Sequence, residues 1–349
     1  MTTTSRTADA PPLLAAAIAG DGEAFRQLTD RYRRELTVHC YRMLGSLDDA
    51  EDAVQETLLK AWRRLAGFEG RASLRAWLYR IATNVCLDAL DHRARRVLPA
   101  AIVGPADPTV PPAADDHDVP WLQPYPDALL EPADPDTDPA TVAARREHVE
   151  LAFVAAVQHL PARQRAVLLL RDVLGFTAAE TAGLLATSPA AVHSALQRAR
   201  TTIDAGLPPA ARHRPTGELA ELVDRYLRAW YAADVPALVA LLRADAQLAM
   251  PPTPSWYQGR DAIATYLRQL FAGPFGRGLR LLPTAANRQP ALAVYARAEA
   301  GGGYLPFAVK VFTVDGALIS GITGFVTPHL FPAFRLPDSM LDTDAPGPG

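Results

Sequence analysis

Hydrophobic residues recur at helical spacing across residues 20–98 and again across 145–206, as in helices with one buried stripe. From residue 216 the pattern changes. Two more helix-like stretches lead into segments where apolar and polar residues alternate, the period of strands with one face inward. In the first block Ala50, Ala53, Val54, Thr57, Leu58 and Ala61 form a core stripe, and Asp52, Gln55, Glu56 and Leu59 fall opposite it. An acidic face with a leucine at its centre suits a protein partner, and equally an exposed helix. The next helix buries Leu74, Leu78, Ile81 and Val85. Trp77, Asn84 and Asp88 lie on a neighbouring flank, with Arg71, Arg75, Arg80, Arg93, Arg95 and Arg96 nearby. Guanidinium groups that track phosphates, a ring that stacks and an amide that reads a base edge fit single-stranded DNA; a core position for Trp77 is the alternative.

The second block carries a clearer device. Phe176 to Leu185 reads as a short helix, Ala186-Thr187-Ser188 as a turn, and Pro189 to Arg200 as a second helix. Thr177 and Glu180 have capping-box spacing, and Ser188 stands as N-cap before a proline at the first helical position. The second helix turns Ala190, His193, Ser194, Gln197 and Arg198 outward while Val192, Leu196 and Ala199 pack inward, which suits a major groove. Structural helical hairpins share this grammar.

Between these blocks, residues 99–144 hold eleven prolines and nine acids with no Lys or Arg, the composition of a linker. Its central Trp121-Leu122-Gln123-Pro124-Tyr125-Pro126-Asp127 is too apolar for a spacer and is expected to dock on the third block. That block opens with a helix carrying Leu219, Leu222, Val223, Tyr226 and Trp230, then a second helix near Val235 to Leu242. A strand near Gln247 to Met250 and a helix from Arg260 to Phe271 follow, then strands near Leu279, Leu292 to Ala298, Leu305 to Thr313 and Leu318 to Val326. Asp315-Gly316 is a hairpin turn signal. Residues 336–349 read as a disordered tail.

Composition narrows the function. The chain has 349 residues, 49% hydrophobic and 21% charged, which excludes global disorder. A net charge of −3 gives no support to non-specific polyanion binding, so any nucleic-acid role rests on local patches. Lys60 and Lys310 are the only lysines, so guanidinium dominates the basic side. Cys40 and Cys86 lack metal-ligand spacing, so neither a disulfide framework nor a metal is expected, and a reducing cytoplasm fits best. No run approaches the roughly 18 apolar residues of a membrane span, and no cofactor is implied.

Together these residues resemble an extracytoplasmic-function (ECF) sigma factor, the small class of bacterial factor that directs RNA polymerase to promoters. Asp48-Asp49-Ala50-Glu51-Asp52-Ala53-Val54-Gln55-Glu56 is similar to the family's core-polymerase-binding helix. Phe68 through Arg96, with Trp77-Leu78-Tyr79-Arg80-Ile81-Ala82-Thr83-Asn84, resembles its promoter-melting and −10-reading segment. Leu160-Pro161-Ala162-Arg163-Gln164-Arg165, the helix-turn-helix and Leu196-Gln197-Arg198-Ala199-Arg200 resemble its −35-binding domain. The resemblance implies that Asp52, Gln55, Glu56 and Leu59 dock on core polymerase and that Arg75, Trp77, Arg80, Asn84, Asp88, Arg95 and Arg96 serve the −10 element, Asn84 capturing a flipped base. Thr177, His193, Ser194, Gln197, Arg198 and Arg200 then serve the −35 element. Many family members carry Arg or Lys where this chain has His193 and Ala195, so groove affinity leans on Arg198, Arg200, Gln197 and backbone amides.

The element order of the third block resembles a SnoaL-like cone. The implied fold class is multi-domain: two all-α sigma domains, a region 2 helical bundle at 13–98 and a region 4 helix-turn-helix at 145–206, then an α+β SnoaL-like cone at 216–335. Such cones often enclose a pocket, and Met250, Trp256, Tyr257, Tyr266, Phe307 and Phe325 are candidate lining residues, or simple core. The expected partners are core RNA polymerase and promoter DNA, with room for a small-molecule ligand in the cone. The leading function is a transcription initiation factor, not an enzyme, regulated in cis by its C-terminal domain. One competing reading adds a small-molecule isomerase or hydrolase in that domain, with Asp245 as the carboxylate left for it; another is a helix-turn-helix regulator with no polymerase contact.

Overall fold

A computed structural model describes residues 10–70, 72–131, 148–206, 216–298 and 302–341. These form two compact units. One holds residues 10–70, 72–95, 148 and 156–206, and the other 96–131, 149–155, 216–298 and 302–341.

The first unit is helical. Before the linker come α1 (Ala10–Ile18), α2 (Gly22–Leu44), α3 (Leu47–Arg64) and α4 (Leu74–Asp91). Beyond it come α5 (Leu151–Gln158), whose last turn belongs here, α6 (Ala162–Leu168), α7 (Ala178–Leu184) and α8 (Pro189–Gly206). Side-chain oxygens start these helices by accepting from otherwise orphaned backbone N–H groups: Asp21 for α2, Ser46 for α3 and Ser73 for α4. The α7 capping box is complete in both directions, and Ser188 Oγ accepts from Ala191 N at 3.2 Å to open α8. Gly45, at φ 73°, ends α2 in the left-handed conformation that glycine adopts without penalty.

The two helical blocks pack on one another through a buried arginine. Arg165 of α6 is 2% exposed and donates to the carbonyls of Met43, Gln158 (2.9 Å) and Leu160 (3.3 Å) and to Gln158 Oε1 (2.6 Å). Met43 lies in the last turn of α2, where carbonyls lack intrahelical donors and the helix dipole favours a cation. Gln158 Nε2 donates to the neighbouring Arg42 carbonyl at 3.2 Å. Phe176 adds an apolar contact by meeting Tyr79 edge-on at 5.7 Å.

The second unit is a six-stranded sheet with helices on one side. Its strands are β1 (Leu242–Ala249), β2 (Trp256–Gln258), β3 (Arg280–Ala286), β4 (Gln289–Arg297), β5 (Tyr304–Asp315) and β6 (Leu318–Phe325), in the order β2-β1-β6-β5-β4-β3. β1 and β6 pair in parallel, and the other neighbours are antiparallel. The helices are α9 (Thr216–Tyr231), α10 (Val235–Ala240), α11 (Arg260–Ala272) and the short α12 (Pro274–Arg277). Leu222, Tyr226 and Trp230 of α9 and Ile263, Leu267 and Phe271 of α11 share one apolar cluster with Leu248, Leu292, Phe312 and Ile322 of the sheet. The short β2 is absent from the sequence expectation because three residues carry too little periodicity to register.

The expected docking of the linker is present. Val97 pairs with Trp121, and Trp121, Leu122, Tyr125 and Leu130 are all buried in the second unit. Ala106 N donates to the Trp256 carbonyl at 2.7 Å, Asp116 N to the Pro252 carbonyl at 3.1 Å, and Thr253 Oγ1 to Asp115 Oδ1 at 2.5 Å. Residues 99–131 are therefore a folded strap, while 132–144 lie outside the described residues. The expectation of a disordered tail from 336 also needs correction. Met340 is 5% exposed and exchanges backbone hydrogen bonds with Tyr304, and Pro337 accepts from the Tyr295 hydroxyl at 2.9 Å. Residues 342–349 lie outside the described residues.

Candidate functional site

The α3 face forms as its periodicity implies. Ala50, Ala53, Val54, Thr57, Leu58 and Ala61 are buried; Asp52, Gln55 and Glu56 are exposed, and Leu59 is 48% exposed. These four line a shallow groove with Lys60 and Arg63. Lys60 reaches Glu56 at 2.8 Å and Asp88 of α4 at 3.7 Å, so Asp88 is engaged by a cation. Carboxylates crowd the N-terminal end of α3. Partial burial and the charges of Asp48 and Asp52 raise the pKa of Glu51.

On α4, Asn84 is exposed and its side chain makes no hydrogen bond among the described residues. Trp77 is half-buried, with Phe68 at 5.1 Å, and Arg80 and Arg95 are exposed. Arg75 is committed elsewhere. Its Nε donates to the buried Glu35 at 3.0 Å and its guanidinium lies 4.8 Å from the Tyr79 ring centre and 5.6 Å from that of Phe176. Arg96 belongs to the second unit, where it donates to the Trp121 carbonyl at 2.7 Å.

On the helix-turn-helix, His193, Ser194, Gln197, Arg198 and Arg200 are exposed on α8, and Val192, Leu196 and Ala199 are buried. Arg200 is held in a two-pronged pair with Asp172 at 2.6 and 2.8 Å. The Thr177 hydroxyl accepts the Glu180 amide in the capping box, so its oxygen is in use within the fold.

In the second unit the candidate pocket residues divide between the two sides of the sheet. Tyr257 and Tyr266 stack at 4.8 Å in the helix-facing cluster, and Met250 and Phe307 pack against it. Phe325 does not line that side. Ile322 and Gly324 take the helix-facing register of β6, and strand alternation sends Phe325 the other way. Trp256 is likewise turned out and gives its indole N–H to the Val103 carbonyl of the strap at 2.9 Å. Asp245 is exposed and paired with Arg243 at 2.7 Å; that hydrogen bond lowers its pKa, the reverse of what a buried general base needs.

Two residues of consequence carried only weak signals. Asn287 sits with Arg288 in a β3–β4 hairpin turn where both have positive φ, and it anchors the strap. Lys310 interrupts an apolar strand at an inward position.

Three family models match the chain: Sigma-70 region 2 over residues 28–96, Sigma-70 region 4 over 150–203 and a SnoaL-like domain over 223–322. The ECF RNA polymerase sigma factor SigG of Mycobacterium tuberculosis is 47% identical over 319 residues, covering 90% of this chain and 85% of that protein. The chain belongs to the ECF RNA polymerase sigma factors. The M. tuberculosis sigma factor SigM is 34% identical over 193 residues, 55% of this chain and 81% of SigM. The crystal structure of the M. tuberculosis extracytoplasmic function sigma factor SigJ shares the fold, with TM-score 0.58 and 22% identity over 87% of this chain and 97% of that one. As a sigma factor, the protein binds core RNA polymerase and promoter DNA and directs transcription initiation. No helix of this sigma factor is long and apolar enough, among the described residues, to cross a membrane.

Proposed function

We propose that the α3 face of Asp52, Gln55, Glu56 and Leu59 docks on core polymerase, that Trp77, Arg80, Asn84 and Arg95 open and read the −10 element, and that His193, Ser194, Gln197 and Arg198 on α8 read the −35 element. Leu59 supports the first role, since an exposed leucine among acids gives an interface its apolar centre. Asn84 supports the second because its amide is free for a base edge. In this reading region 2 spans 13–98 and region 4 spans 145–206. The C-terminal domain at 216–335 regulates the factor in cis by holding the segment that joins them.

The observation that carries the cis regulation is the strap. The segment that joins two DNA-binding modules is instead hydrogen-bonded within the C-terminal unit, with Val97, Trp121, Leu122, Tyr125 and Leu130 buried there. Any extension of that segment has to break those contacts, so the domain sets how readily the two modules separate. Promoter-directed transcription by the full chain with core polymerase tests both parts. Leu59→Asp is expected to abolish co-migration with core, and Asn84→Ala to retain co-migration but lose bubble opening. Normal bubble opening by Asn84→Ala would remove the base-capture role. If releasing the strap leaves promoter output unchanged, regulation in cis fails.

A further inference from the structure

Lys310 lies within β5 between Ala308 and Phe312, both members of the apolar cluster under the helices, so alternation turns it to the same side. Its Nζ stands 4.0 Å from the centre of the Trp230 ring and donates to the Tyr226 hydroxyl at 3.1 Å. No carboxylate pairs with it among the described residues, and burial alone brings its pKa down to about 7. The residue nevertheless keeps some solvent exposure. Its cross-strand neighbours are Leu292 and Gly324, and the Met250 side chain lies over Gly324, 3.4 Å from where a Cβ would stand.

A buried cation without a counter-charge is costly, and contact with aromatic faces offsets only part of that. An apolar residue would fill the position without this penalty. The surrounding hydroxyls also have capacity to spare. Tyr226 oxygen accepts from Lys310, and no acceptor for its own proton occurs among the described residues. The Tyr266 hydroxyl donates to the sulfur of Met250 at 3.3 Å, a weak acceptor. An ammonium and a phenol with a proton to give, set in an aromatic and aliphatic bed, match a carboxylate attached to an apolar body.

We propose that Lys310 and Tyr226 form the anion-recognising end of a ligand site on the helix-facing side of the C-terminal sheet, and that the site takes a small monocarboxylic acid with an apolar body. The site stands on its own geometry and does not depend on regulation through the strap. Because the chain has only two lysines, lysine labelled with 13C at Cε reports on it directly in the full-length protein, with Lys60 as internal reference and Lys60→Arg fixing the assignment. Benzoate and decanoate, each compared with its neutral amide, are the probes, and they separate an aromatic from a fatty-acid ligand. The Lys310 signal should move saturably with at least one acid while Lys60 stays still, and the matching amide should bind roughly tenfold more weakly or worse. Lys310→Met should weaken binding of that acid by a similar factor, and Lys310→Arg should retain much of it. Equal binding of acid and amide, or no Lys310 response to either acid at millimolar concentration, overturns the proposal. The acid-against-amide comparison needs only the wild-type chain, so it decides the matter even if Lys310→Met does not fold.

Discussion

Replacing Asn287 by glycine should release the strap without disturbing the turn that presents it. Asn287 is fully buried at φ 55°, a conformation that asparagine tolerates and glycine adopts freely. Its Oδ1 accepts from Tyr125 N at 2.9 Å and its Nδ2 donates to the Val149 carbonyl at 2.7 Å; its backbone N–H, which glycine keeps, donates to the Tyr125 carbonyl at 2.9 Å. Removing the side chain strands two buried polar groups at about 1 to 3 kcal/mol each, so the strap and its anchor should lose roughly 2 to 6 kcal/mol of local stability. Hydrogen exchange of the Leu122 and Tyr125 amides, which donate to Val97 O and Asn287 Oδ1, is the direct assay. At about 1.4 kcal/mol per factor of ten, those amides should exchange at least roughly 30-fold faster. Asn287→Asp is the companion variant. It keeps the acceptor for Tyr125 but sets a carboxylate against the Val149 carbonyl, so it too should loosen the strap. Exchange within about threefold of wild type in Asn287→Gly would refute the idea that this side chain anchors the strap.

Arg165→Met should keep most of the buried volume but leave the carbonyls of Met43 and Leu160 and the Gln158 side chain without their donor. A loss of roughly 2 to 4 kcal/mol in urea unfolding is expected, and an unchanged midpoint would show that the arginine does not hold the helical blocks together. His39 is fully buried with its Nε2 2.9 Å from Thr83 Oγ1, and burial, then Arg42 and Arg75, pull its pKa down to about 3. Its folded-state pKa is thus below the unfolded one, so the unfolded chain takes up a proton first. Stability is intact above about pH 6.5 and declines as the pH falls toward 3, by about 2 kcal/mol between pH 7 and pH 5. The stability difference between wild type and His39→Asn, measured by urea unfolding at those two pH values, should carry that dependence; a difference independent of pH would count against it.

The helix-turn-helix, its capping box, the α3 face and most of the strands were legible in the sequence because each rests on interactions between residues a few positions apart. Thr177 and Glu180 meet three residues apart, and Leu59 is exposed because the stripe opposite it is buried. Even the docking of Trp121 and Tyr125 could be read from an apolar cluster in an otherwise solvated segment. Its partner could not. Tyr125 and Asn287 are 162 residues apart, and no local period encodes which turn meets which strap. Arg75 and Arg165 look like any other arginines on a basic helix until folding brings Glu35, Phe176 and the end of α2 beside them. Phe325 and Trp256 take the outer side because register, not hydrophobicity, decides which face a strand residue occupies. Local periodicity determined which elements form and which faces they expose; tertiary packing alone decided which buried polar groups satisfy one another, because that pairing depends on long-range geometry rather than on neighbours in the chain.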